Sequence, residues 1–141
     1  MTLRIPLLVT AVLETGTAAA SLLAPRLLVT LLFGQAPAAL LVMVLARFIG
    51  AAPLSLGLAC WWAAQDPESR AAEGVVRAML LYDVAAALLL AYAGVSGLTG
   101  ILLWPAVAVH TAMAVWCLLG VLRVKAKRLP LTHSEPLLRR N

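Results

Sequence analysis

PAALLVMVLARFIGAAPLSLGLACWWAA, residues 37–64, carries no polar side chain except Arg47 and Ser55. A hydrocarbon layer ~30 Å thick is crossed by ~20 apolar residues in a helix rising 1.5 Å per residue. This stretch is long enough, and its reading as a transmembrane span decides the fold. Three further stretches match it: residues 5–24 before it, then 74–95 and 98–122. None alternates apolar and polar residues in the ~10-residue segments of a membrane β-barrel. The chain is therefore expected to be all-α, an integral membrane four-helix bundle with antiparallel neighbours, confined to residues 1–122.

Composition leads to the same class. Of 141 residues, 63% are hydrophobic and 12% charged, against about 45–50% and about 25% in soluble domains. Four spans leave no room for a soluble catalytic domain, so no independent catalysis is expected and no catalytic residue is assigned. Two cysteines, Cys60 and Cys117, are too far apart in sequence for a CxxC motif and too few for a disulfide framework.

The connectors are short. PRLLVTLLFG, residues 25–34, cannot span and is expected to be a short interfacial helix between the first two spans, stopped by Gly34. Pro37 suits the first turn of the second span. In the link 65–73, Asp66 is expected to cap the third helix, with Pro67 and Glu68 in its first turn. Ser96-Gly97 makes the last turn-around. Pro53 and Pro105 are expected to kink their helices.

Charge sets the orientation. Arg4, Arg70, Arg77 and six tail residues place nine Lys/Arg on one side, against Arg26 alone on the other. By the positive-inside rule both termini are cytoplasmic, in a bacterial cytoplasmic membrane. Glu14 in the apolar region, with Arg4 as the whole basic flank, argues against reading the first span as a cleaved signal peptide. The basic tail 123–141, with Arg123, Lys125, Lys127 and Arg128 nearest the bilayer, is expected to lie on anionic lipid. The same clustering beside a span excludes nucleic acid as a partner.

Each span holds one ionisable side chain near its middle: Glu14, Arg47, Asp83 and His110. A charge at mid-membrane costs ~2.5–3.5 kcal/mol, so the four are expected to face one another. Arg47 is expected to be the cation that holds both carboxylates ionised. At 100° per residue Thr10, Glu14, Thr17 and Ser21 fall on one face, which adds Thr17 to the candidates for a ligand or proton site. Tyr82, about 100° round the helix from Asp83, is expected to pack. Locking helix register is the plain alternative for such a cluster; four ionisable groups exceed what register needs. Glu14, Asp83 and His110 have the donor types of a divalent-metal site, but Arg47 among them would repel a cation, so no metal is expected. One intramembrane histidine is too few for a bis-histidine haem. No cofactor is expected; a quinone near His110 is the one such ligand the cluster could hold.

Several segments carry a family resemblance. LETGTAAASLLAP (13–25), LLFG (31–34), ARFIGAAPLSLGLACWW (46–62), LLYD (80–83) and LLWPAVAVH (102–110) together resemble the DoxX-like group of small bacterial four-helix membrane proteins, over roughly residues 7–122. That resemblance implies an accessory or assembly subunit of a membrane complex, quinone-linked in some members, with membrane-protein partners or a homo-oligomer. Glu14 in AVLETGT (11–17) also resembles the first-helix glutamate of small multidrug resistance transporters. Its implication is proton-coupled transport of a small cation. Arg47, Asp83 and His110 depart from that second pattern.

Overall fold

The computed structural model describes residues 3–128, and among them every regular element is helical. The helices are α1 (Arg4–Leu23), α2 (Pro25–Phe33), α3 (Leu40–Ala63), α4 (Arg70–Val95) and α5 (Leu103–Arg128). Four of them, all but α2, are long and apolar enough to cross a membrane. Their outward faces are leucine, valine and aromatic side chains; Phe48 is 77% exposed and Leu81 72%. In water such a surface would aggregate; against lipid tails it costs nothing.

Chain chemistry explains most helix ends. Ala24 precedes a proline, which disfavours helical backbone there, and it sits at φ −132°, ψ 52°. That bend separates α1 from α2. Pro25 opens α2, where a missing N–H is harmless, and Gly34 closes it in the left-handed region at φ 74° while donating to the Thr30 carbonyl at 2.8 Å. The expected short helix is thus present, with its glycine stop.

Four boundary expectations are corrected. Pro37 lies before α3, not in its first turn: the chain stays extended through Ala39 and the helix starts at Leu40. The cap of α4 is Ser69, not Asp66; the Ser69 hydroxyl accepts from the Ala72 N–H at 3.0 Å and donates to the Asp66 carbonyl at 2.8 Å. Asp66 and Pro67 therefore belong to the turn that delivers the cap. Residues 98–102 are not helical, because their backbone is engaged elsewhere: the Leu102 N–H donates to the Leu31 carbonyl of α2 at 2.9 Å. Gly100 lies so close to α2 that a Cβ there would sit 2.2 Å from the Leu32 carbonyl oxygen. Consequently Pro105 occupies the first turn of α5, where it interrupts no helical hydrogen bond. Among the described residues, Pro53 is the proline that stands inside a helix. At the other end α5 continues past residue 122, so that Arg123, Lys125, Lys127 and Arg128 all belong to it. The remainder of the basic tail lies outside the described residues.

The helices associate in two pairs, α1 with α3 and α4 with α5, while α3 meets α4 and α1 meets α5 more lightly. Small residues set the first pairing. A Cβ on Gly57 would lie 2.7 Å from Thr15 Oγ1 and 3.2 Å from the Ala11 carbonyl; one on Gly50 would lie 2.7 Å from Ser21 Cβ. Close approach of this kind is how membrane helices gain packing energy when lipid supplies no hydrophobic drive.

The two pairs join through one packed core. Leu3, Leu7, Ala11, Cys60, Ala64, Ala72, Val76, Met79 and Cys117 form it, all buried. These residues come from the start of α1, the end of α3, the start of α4 and the later part of α5, so the core fills one end of the bundle. Towards the other end the pairs separate, and two cavities open beneath α2.

Candidate functional site

Glu14, Asp83 and His110 meet where the packed core gives way to the cavities. Asp83 is 1% exposed and Glu14 5%. His110 Nδ1 lies 2.8 Å from Asp83 Oδ1. An ionised carboxylate only accepts, so Nδ1 carries the hydrogen and donates it, which leaves Nε2 to meet other groups. One ligand atom from each of Glu14, Asp83 and His110 lies within 4.8 Å of the others. The second oxygen of each carboxylate, Glu14 Oε2 and Asp83 Oδ2, is buried with no hydrogen-bond partner. Unpaired carboxylate oxygens in an apolar interior are costly, and both belong to the same three-residue cluster.

Tyr82 also belongs to the site. Its ring meets the His110 imidazole edge-on, with centroids 5.8 Å apart and planes at 78°, and its hydroxyl interacts with the Glu14 carboxyl. The expectation that Tyr82 only packs is corrected. A residue 100° round the helix leaves a single contact line, but it still faces a cavity that lies between helices. An aromatic hydroxyl next to an intramembrane aspartate was the available signal.

The first cavity, about 310 Å³, is lined by Thr10, Glu14 and Thr17 of α1, Asp83 of α4, and His110 and Met113 of α5, among others. The second, about 380 Å³, lies between α1, α2, α3 and α4; Ser21, Gly50, Pro53, Tyr82 and Ala86 are among its walls. Thr17, Leu28, Leu32, Leu90 and His110 line both. His110 is thus one of the residues shared by the two apolar spaces, as are Leu28 and Leu32 of α2. Thr17 lines both cavities, as the polar stripe on α1 implies, while Ser21 lines the second alone and donates to the Ala46 carbonyl of α3 at 2.6 Å.

Arg47 is not in the cluster. It is exposed, and its Nε donates to the Leu22 carbonyl at 3.3 Å. The reason is the register of α1 on α3: Gly50 and Arg47 lie against Ser21 and Leu22, eight residues or ~12 Å along the helix from Glu14. A helix ends with carbonyls that lack intrahelical partners, and a cation there is favoured by the dipole as well. Arg47 caps α1; it does not neutralise the carboxylates. Arg47→Leu is accordingly expected to cost only about 0.5–1.5 kcal/mol, one hydrogen bond's worth. The same loss is expected in a Glu14→Gln background, because sites this far apart add. Unfolding in mixed dodecyl sulfate micelles measures both.

Arg123 and Lys125, the first residues of the expected lipid-binding set, are exposed on the last turns of α5. Near the start of α4, Arg77 pairs with Glu73 one turn earlier. The chain matches no protein-family model, no curated protein and no solved structure at a significant level.

Proposed function

We propose that this chain is an integral membrane bundle with antiparallel neighbours, resident in a bacterial cytoplasmic membrane with both termini cytoplasmic. In that setting it serves as an accessory or assembly subunit of a membrane redox complex, and the Glu14–Asp83–His110 site receives a quinone-class head group. One observation carries this reading: the His110–Asp83 hydrogen bond stands in the wall of an apolar cavity, with Glu14 beside it. A quinone presents carbonyl oxygens that need donors and a ring and tail that need apolar walls. A doubly protonated His110, its Nδ1–H held by Asp83, supplies the first through Nε2–H, and the leucine-lined cavities supply the second. Their volumes, about 310 and 380 Å³, fall at the lower end of ordinary ligand pockets. The resemblance of residues 7–122 to the DoxX-like group leads to the same reading.

The test is a titration of the purified full-length chain with a short-tailed benzoquinone, accompanied by mass spectrometry of co-purifying proteins and small molecules. His110→Ala is expected to weaken quinone binding about tenfold, the worth of ~1.4 kcal/mol. Equal affinity in wild type and variant would overturn the assignment.

A second reading, proton-coupled export of a lipophilic cation, gains from the position of Arg47. With that guanidinium ~12 Å away along the helix axis, nothing fixed in the site repels a cation near Glu14. Substrate-dependent proton flux in vesicles, abolished by Glu14→Gln, would favour it over the quinone reading.

A further inference from the structure

The three side chains at the cavity floor leave buried carboxylate oxygens without a partner. Two carboxylates converge there, both more than nine-tenths buried, and each keeps one oxygen without a partner. The arginine that could have balanced them caps α1 instead. Among the described residues, Asp83 Oδ1 is the one hydrogen-bond partner found for His110. Something positive is wanted beside Glu14 Oε2 and Asp83 Oδ2.

We infer that Glu14, Asp83 and His110 form a binding site for a single divalent first-row transition cation. One imidazole nitrogen and two carboxylate oxygens, one from each of three helices, lie within 4.8 Å of one another. Metal–ligand bonds of ~2.0–2.2 Å hold neighbouring ligand atoms ~3–4 Å apart, so small side-chain rotations close the set. The donor types suit zinc, iron or cobalt better than calcium or magnesium, which take oxygen alone. With the imidazole neutral, two carboxylates and one dication sum to zero net charge in a low-dielectric interior. Three protein ligands leave a coordination position open, and all three residues line the first cavity. Tyr82, packed edge-on against His110, fixes the ring from outside the ligand set.

This inference deepens the preceding one, since it concerns the same three residues, yet it is tested without any quinone. Tag-free full-length protein, stripped with a chelator, is titrated with Co²⁺ and followed by visible absorption and by metal analysis after dialysis. The expected result is one Co²⁺ per chain with d–d bands of a four- or five-coordinate nitrogen–oxygen site. Glu14→Gln and Asp83→Asn, which keep side-chain shape, are each expected to weaken binding at least tenfold. Zn²⁺ is expected to raise the thermal midpoint of the wild type and not of these variants. His133→Ala, in the tail, is expected to bind as the wild type does. Absence of stoichiometric Co²⁺, or full affinity in Glu14→Gln, overturns the metal site. Quinone binding by the chelator-stripped wild type would still leave the proposed function standing, so the two failures are distinguishable.

Discussion

Replacing His110 by leucine is expected to lower the unfolding free energy by about 1.5–3 kcal/mol, the cost of leaving a buried carboxylate without its hydrogen bond. The volume changes little, so the loss is electrostatic. Asp83 is 1% exposed, and His110 Nδ1 is the only hydrogen-bond partner found for its carboxylate among the described residues. Removing that donor leaves both Asp83 oxygens unpaired beside a second carboxylate. The reverse change is milder. Asp83→Leu leaves a histidine whose side chain is 19% exposed at the cavity wall, and it also removes the aspartate's repulsion of Glu14. The double variant His110→Leu/Asp83→Leu is therefore expected to be more stable than His110→Leu alone. Unfolding curves in mixed dodecyl sulfate micelles decide the matter. Strict additivity of the two single changes would show that the pair contributes nothing to the fold.

Gly57→Leu is expected to have the other large effect, by forcing α1 and α3 apart. A Cβ at this position already meets Thr15 Oγ1 at 2.7 Å and the Ala11 carbonyl oxygen at 3.2 Å. The hydroxyl can rotate; the backbone carbonyl cannot. Overpacking a close-fitted interface costs about 1–3 kcal/mol and sometimes more, and here the whole side chain must be housed between two helices. Gly74 of α4 supplies the internal contrast, since a Cβ there meets nothing within 4 Å. Gly74→Ala is expected to stabilise by about 0.5–1 kcal/mol through helix propensity alone. If Gly57→Leu and Gly74→Ala gave similar unfolding midpoints, the close crossing of α1 on α3 would be wrong.

How far the sequence could be read follows from which quantities it records. The spans are readable because hydropathy reports transfer from water, and a lipid-facing leucine and a core leucine both satisfy it. Helix ends are harder, because a backbone's hydrogen-bonding partner has no hydropathy. Residues 98–102 are apolar enough to read as helix, yet the Leu102 N–H is committed to Leu31 of another element. Glu14, Asp83 and His110 could be grouped from sequence by the cost of leaving any of them in lipid. Arg47 met the same criterion and was misplaced by it. Its long side chain can satisfy that cost at any carbonyl within reach, and the unpaired carbonyls at the end of α1 are nearer than the carboxylates. Depth counted from the middle of each span does not contain the register of one helix on its neighbour.

The bundle is sealed at one end and hollow at the other, and this asymmetry limits the traffic that the site can carry. Leu7, Cys60, Val76 and Met79, each at most 2% exposed, stop the passage below Glu14. The cavities lie on the far side, beneath α2. The packed core thus closes the site on the side away from α2. In the orientation proposed above, with both termini cytoplasmic, the hollow end faces the outer leaflet. An alternating-access cycle would have to unpack the core to present Glu14 to the cytoplasm. Holding a ligand drawn from the outer half of the bilayer requires no such rearrangement.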